Sequence, residues 1–155
     1  MIDESGFLAT NRHVVNGAGS IQVALFSGDK FVAEVVQVDR RNDLAVLKIG
    51  VTGLKPVRWA DLDKVRVNQW AFAVGNPFGA ANRDGRTSVT YGVVSALGRQ
   101  LNDRLGPAAM ESYYGNLIET SCAINPGSSG GPLFNIDGEV IGVVTAIETK
   151  SGVNE

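Results

Sequence analysis

The stretch NPGSSGGPL, residues 125–133, sets two serines side by side between glycines, Ser128 and Ser129. A serine can transfer an acyl group when two backbone N–H groups, its own among them, point at the oxygen that turns anionic. In a Gly-x-Ser turn the second donor is the N–H two residues before the serine. For Ser129 that residue is Gly127, which has an N–H and tolerates unusual backbone angles. For Ser128 it is Pro126, which has no N–H. The nucleophile assignment therefore falls on Ser129, with Gly127 and Ser129 as oxyanion donors. Gly130 and Gly131 leave space for a base and a substrate. The bland alternative is a flexible Gly/Ser turn leading into a strand at PLF.

Such a serine needs a base, and the chain has one histidine, His13, in LATNRHVVNG. By itself a lone histidine is more often a surface or satisfied core residue. A single histidine makes a multi-histidine metal site impossible, and a single cysteine, Cys122, excludes an internal disulfide and a cysteine-rich metal site. Asp43 opens DLAVLKI and by alternation shares a face with Ala45, Leu47 and Ile49, which reads as the buried face. An inward carboxylate requires a hydrogen-bond donor, because an unpaired buried charge is costly. A histidine Nδ1–H would serve. The alternative is a strand-entry aspartate that caps a turn or pairs with Arg40 or Arg41.

The elements that must hold these residues have a period of two. Short runs rich in Val and Ile alternate with Gly, Asn and Asp: 6–10, 20–26, 31–38, 43–49, 70–75, 88–97, 116–121, 131–135 and 139–147. SGDK and NIDG read as tight hairpin turns. WADLDKV, 59–65, offers one short helical turn. The class is all-β, a sandwich or barrels. A polar change of texture over 55–69 separates four runs from five, which suggests two sheet units with a cleft between them. Residues 99–116 are too long and irregular for a hairpin and read as a functional or disordered loop.

A length of 155 residues suits one domain or two small, packed subdomains. Fourteen Lys and Arg against 16 Asp and Glu give a net charge of −2, so electrostatics make no case for nucleic acid or an anionic membrane as partner. The longest apolar runs are strand-sized, and none would span a bilayer as a helix. MIDESG lacks the basic and apolar regions of a signal peptide, and TKSGVNE ends without a closing apolar segment. Both ends read as cuts through a longer chain.

His13, Asp43 and Ser129 each stand at the edge of an expected strand, in the chain order of chymotrypsin-type triads. The stretches ATNRHVV, NDLAVLKI, AVGNPFG, VTYGVVSALGR and IETSCAINPGSSGGPLFNIDGEVIGVVTAI, with the closing GVNE, resemble the protease domain of the HtrA/Deg group of trypsin-like serine peptidases. The resemblance implies two six-stranded-type antiparallel β-barrels, incomplete at the termini, in one protease domain over 1–155. Residues 1–54 would form the first barrel, 55–69 a connector and 70–155 the second barrel, with no PDZ domain. It places the triad on His13, Asp43 and Ser129 and the oxyanion donors on Gly127 and Ser129. No cofactor or metal is required.

The implied activity is endoproteolysis of unfolded or misfolded polypeptide, in a periplasmic or other extracytoplasmic compartment. Substrate would add as a strand along Val144, Thr145, Ala146 and Ile147, and Ile124 would line a small apolar P1 pocket. Loops 79–86, 99–116 and 147–155 match places where HtrA-type proteins switch state, with Arg99 as sensor to the loop before Ser129. An ordinary solvated charge is the alternative for Arg99. The group commonly has Asn where this chain has Ser128. Missing edge strands would favour self-association and leave a rival reading, a non-catalytic peptide-binding module.

Overall fold

The computed structural model describes residues 1–79, 81, 86–101 and 114–145. Alternation decides the first sheet. In β4 (Leu44–Ile49) every second side chain is buried, so Ala45, Leu47 and Ile49 face inward. This strand lies between β1 (Phe7–Asn11) and β3 (Lys30–Asp39), and β3 pairs outward with β2 (Ile21–Ala24), all antiparallel. A register shift between Val35 and Gln37 marks a bulge in β3, which curls the sheet over Ala33, Leu47 and Val15. Gly28, with φ of 93°, closes the SGDK hairpin as the sequence suggests.

The second sheet orders as β5-β10-β9-β6-β7-β8, with β5 Arg58–Trp59, β6 Trp70–Gly75, β7 Ser88–Leu101, β8 Tyr114–Thr120, β9 Pro132–Phe134 and β10 Glu139–Val143. Its core gathers Ala71, Ala73, Val94, Leu133, Ile141 and Val144. These are two curled sheets in the double-barrel arrangement expected of the sequence, with four and six strands among the described residues. β1 and β10 approach one another, so the halves meet where the outer strand of one sheet faces the strand that ends beside Val144.

Two local differences have physical causes. Residues 99–101 and 114–116 are strand rather than loop, because three register shifts along β7 and β8 absorb Gly98 and Asn116 at positive φ. Within the polar segment 55–69, Arg58–Trp59 form β5, which pairs parallel with β10. Two residues are too few to show a period, so no run marks β5 in the sequence. The short helical turn suggested near 59–65 is a 3₁₀ turn at Leu62–Lys64, with the Asp61 carboxylate accepting the Asp63 N–H.

Candidate active site

β1 ends at Asn11, and the chain turns at once into a single helical turn, α1 (Arg12–Val15), that carries His13. The apolar Val15 anchors this turn in the first core while the imidazole stays 43% exposed. Asp43 stands immediately before β4, 1% exposed, with φ of 54°. Burial of Asp43 agrees with the alternation that marks it as inward, but its backbone is left-handed rather than extended. Its carbonyl accepts the Arg12 N–H at 2.9 Å and the Asn11 side-chain N–H at 3.2 Å, which fixes that conformation.

The Asp43 carboxylate then meets His13 twice. Oδ1 accepts the His13 backbone N–H at 3.0 Å, and Oδ2 lies 2.5 Å from Nδ1. Arg12 Nε is 3.9 Å from Oδ1, a cation beside the same carboxylate. Arg40 and Arg41 are not the partners in these contacts. Asp39 instead organises the turn before Asp43, accepting from the Arg41 and Asn42 backbone N–H groups and from the Asn42 side-chain amide. Those bonds, led by the Asn42 amide, hold the Asp39 carboxyl below its ordinary range against an opposing desolvation effect.

The serine turn is built against both sheets. Ser128 is 5% exposed and packs on the backbone of β6, where a Cβ on Gly75 would come within 3.0 Å of the Ser128 Oγ. Ser129 is only half-buried. Gly130 donates its N–H to the Val144 carbonyl at 2.9 Å, and its Cα faces Thr10 Oγ1 and the Asn11 backbone N at the end of β1. Ser129 is thus carried to the strand end from which His13 projects. Gly127 has φ of 97° and is exposed, and its N–H donates to no group among the described residues.

Ile124 packs on the second core together with Val144. The Val144 N–H and carbonyl are bonded to Gly131 and Gly130, so an added strand would start at Thr145. Ala146, most of loop 79–86, residues 102–113 of the loop 99–116 and all of loop 147–155 with Ile147 lie outside the described residues. Arg99 pairs through Nε with Glu119 Oε2 at 2.9 Å across β7 and β8. Among the described residues no group of three or more His, Cys, Asp or Glu could hold a metal ion. Sequence reasoning missed Asn11, Gly75 and the turn after β6. Only Asn11, a polar residue at the end of an apolar strand, carried a usable signal.

The model of the Trypsin-like peptidase domain family matches residues 1–143. The chain is 43% identical over 152 residues to a probable periplasmic serine endoprotease DegP-like of Chlamydia muridarum, covering 98% of this chain and 28% of the relative. A protein of the same description from Chlamydia pneumoniae is 45% identical, with 98% of this chain and 29% of the relative covered. The chain therefore spans less than a third of the length of these curated relatives. Among solved structures, the HtrA-type protease AlgW with a decapeptide superposes with a TM-score of 0.85 at 40% identity, covering 100% of this chain and 44% of that one. AlgW with a tripeptide gives 0.84 at 41%, over 98% of this chain and 46% of that one. From the family match, the coverage and the shared double-barrel frame, the chain belongs to the trypsin-like peptidase domain family, and within it to the HtrA/Deg group of serine proteases.

Proposed function

We propose that this chain is the catalytic domain of a serine endopeptidase that cuts extended or unfolded polypeptide. The observation that carries the reading is the doubly held pair of Asp43 and His13 at the strand end against which the Ser129 turn packs. Ser129 Oγ attacks the scissile carbonyl and His13 Nε2 takes its proton, then gives it to the leaving amine. Asp43 keeps the proton of the neutral ring on Nδ1 and stabilises the imidazolium. The Gly127 and Ser129 N–H groups hold the oxyanion. Water, activated by the same imidazole, then releases the acyl group.

The substrate backbone would add as a strand from Thr145 through Ala146 and Ile147, with Ile124 and Val144 walling an apolar P1 pocket. AlgW is described with bound peptides, which favours that mode. Arg99 is proposed as a regulatory contact that would exchange Glu119 for the loop before Ser129. The whole of 1–155 would act as one protease domain, with 1–54 and 70–155 as its halves. Because the relatives are named probable periplasmic proteases, a periplasmic site of action is proposed.

A fluorophosphonate probe tests the reading, since it labels only an activated serine. Mass spectrometry should find the adduct on Ser129. A folded protein that takes no label would instead favour a non-catalytic peptide-binding module.

A further inference from the structure

Three backbone hydrogen bonds and one side-chain bond join the turn after β6 to the serine loop or close that turn on itself. Phe78 donates its N–H to the Pro126 carbonyl at 2.9 Å, and Asn76 donates its N–H to the Gly127 carbonyl at 3.2 Å. The turn is closed by Gly79 N–H on the Asn76 carbonyl at 3.1 Å and by Ala81 N–H on Asn76 Oδ1 at 2.7 Å. Ser128 N–H on the Asn125 carbonyl closes the serine loop from its own side. The contact is close: a Cβ on Gly127 would overlap the Asn76 carbonyl oxygen.

A trans peptide is planar, so its C=O and N–H point in opposite directions. Once the Pro126 carbonyl is tied back to Phe78, the Gly127 N–H must face the other way, out of the loop. Tying the Gly127 carbonyl to Asn76 fixes the next peptide plane as well. Phe78 achieves its bond at φ of 55° and ψ of 21°, a left-handed conformation in which a bulky non-glycine residue is uncommon. Its ring is 73% exposed, so packing of the side chain does not account for that conformation.

We propose that the turn Asn76–Gly79 braces the oxyanion hole, with the left-handed backbone of Phe78 as the positioning residue that aims the Gly127 N–H at the reacting carbonyl. This deepens the serine-protease reading and rests on it. Phe78 touches no reacting atom, so its effect should fall on kcat and not on substrate binding.

The test compares Phe78→Val, which disfavours the left-handed region, with Phe78→Asn, which tolerates it. Measured on the full chain with an extended peptide substrate, Phe78→Val should lower kcat and fluorophosphonate labelling by about 10²-fold, the scale of one lost oxyanion donor. KM should stay within about twofold, and affinity for a peptide boronate, which places an oxygen in the hole, should fall with kcat. Phe78→Asn should recover most of the rate although it lacks the ring. Asn76→Ala, which removes the bond to Ala81, should shift kcat in the same direction and serves if Phe78→Val does not fold by circular dichroism. A loss carried by KM alone, an Asn variant as poor as the Val variant, or an undiminished Val variant overturns the brace. A wild-type chain that neither labels nor binds the boronate overturns the serine-protease reading itself.

Discussion

Asp43 and His13 are joined by both carboxylate oxygens, Oδ1 to the backbone N–H and Oδ2 to Nδ1. One side chain therefore fixes where the imidazole sits and which nitrogen carries its proton. Asp43→Asn should keep the fold, since an amide of the same shape can still accept from the His13 N–H. It should leave the ring in the wrong tautomer and cut kcat by roughly 10⁴-fold. Steady-state kinetics beside a thermal melt would check this; a loss of activity matched by unfolding would assign Asp43 a structural role only.

The two serines should behave differently. Ser129→Ala should lower kcat by about 10⁴- to 10⁶-fold. Ser128 is buried against Gly75, so Ser128→Ala should change stability modestly and spare most of the rate. Labelling each variant with the fluorophosphonate probe separates the two, and an adduct mapped to Ser128 would reverse the assignment.

Gly75 gives a prediction that acts through Ser128. An added Cβ would stand 2.8 Å from the Ser128 Cα, a backbone atom with little freedom to retreat. Gly75→Ala should therefore push the serine turn away from β6 and lower kcat/KM by at least about tenfold. Normal rates in that variant would mean that β6 yields instead of the serine turn.

Acid should separate the base from its surroundings. Asp39 is held below the ordinary carboxylate value of about 3.9, first by the Asn42 side-chain amide. A depressed carboxyl contributes stability that is present above the unfolded value and lost as pH falls through the folded one. The Asp39 turn is thus intact from pH 5 to 8. Histidine bases as a class lose function toward acid in this interval, so a rate carried by one should show kcat/KM falling with a one-proton slope while circular dichroism stays constant. A flat rate profile would remove His13 from the role of base.

The proposed P1 pocket gives a specificity prediction. Ile124 and Val144 share one apolar core, so peptides with Val, Ala or Ile at P1 should be cut ahead of those with Lys or Arg. A peptide library dominated by basic P1 residues would show that a different surface forms the pocket.

The shape of the serine loop was legible because it depends on local covalent facts: proline lacks an N–H, and glycine accepts positive φ. His13 and Asp43 were legible through strand edges and alternation, although Asp43 reaches the buried face by a left-handed turn. Asn11, Gly75 and Phe78 were not. Their roles come from contacts between residues far apart in the chain, such as Asn11 with Asp43 or Phe78 with Pro126. Nothing in the local sequence of Gly75 or Phe78 encodes those partners, and Asn11 offers only its polarity at the end of an apolar strand. β5 was hidden for the opposite reason, since it is too short to have a pattern and exists only as a companion to β10.

That small strand has a mechanical consequence. β5 is bonded to β10, and Arg58 also donates to the Asp137 carbonyl at the hairpin tip. Upstream, Gly53 and Leu54 N–H groups bond the Glu4 carbonyl, and Val57 N–H bonds the Met1 carbonyl. The strap between the two halves is therefore fastened at both ends and along its length. It has little slack to act as a hinge, and spreading the cleft would have to tear several of these fasteners together. The gap behaves less like a jaw that opens than like a slot of fixed width.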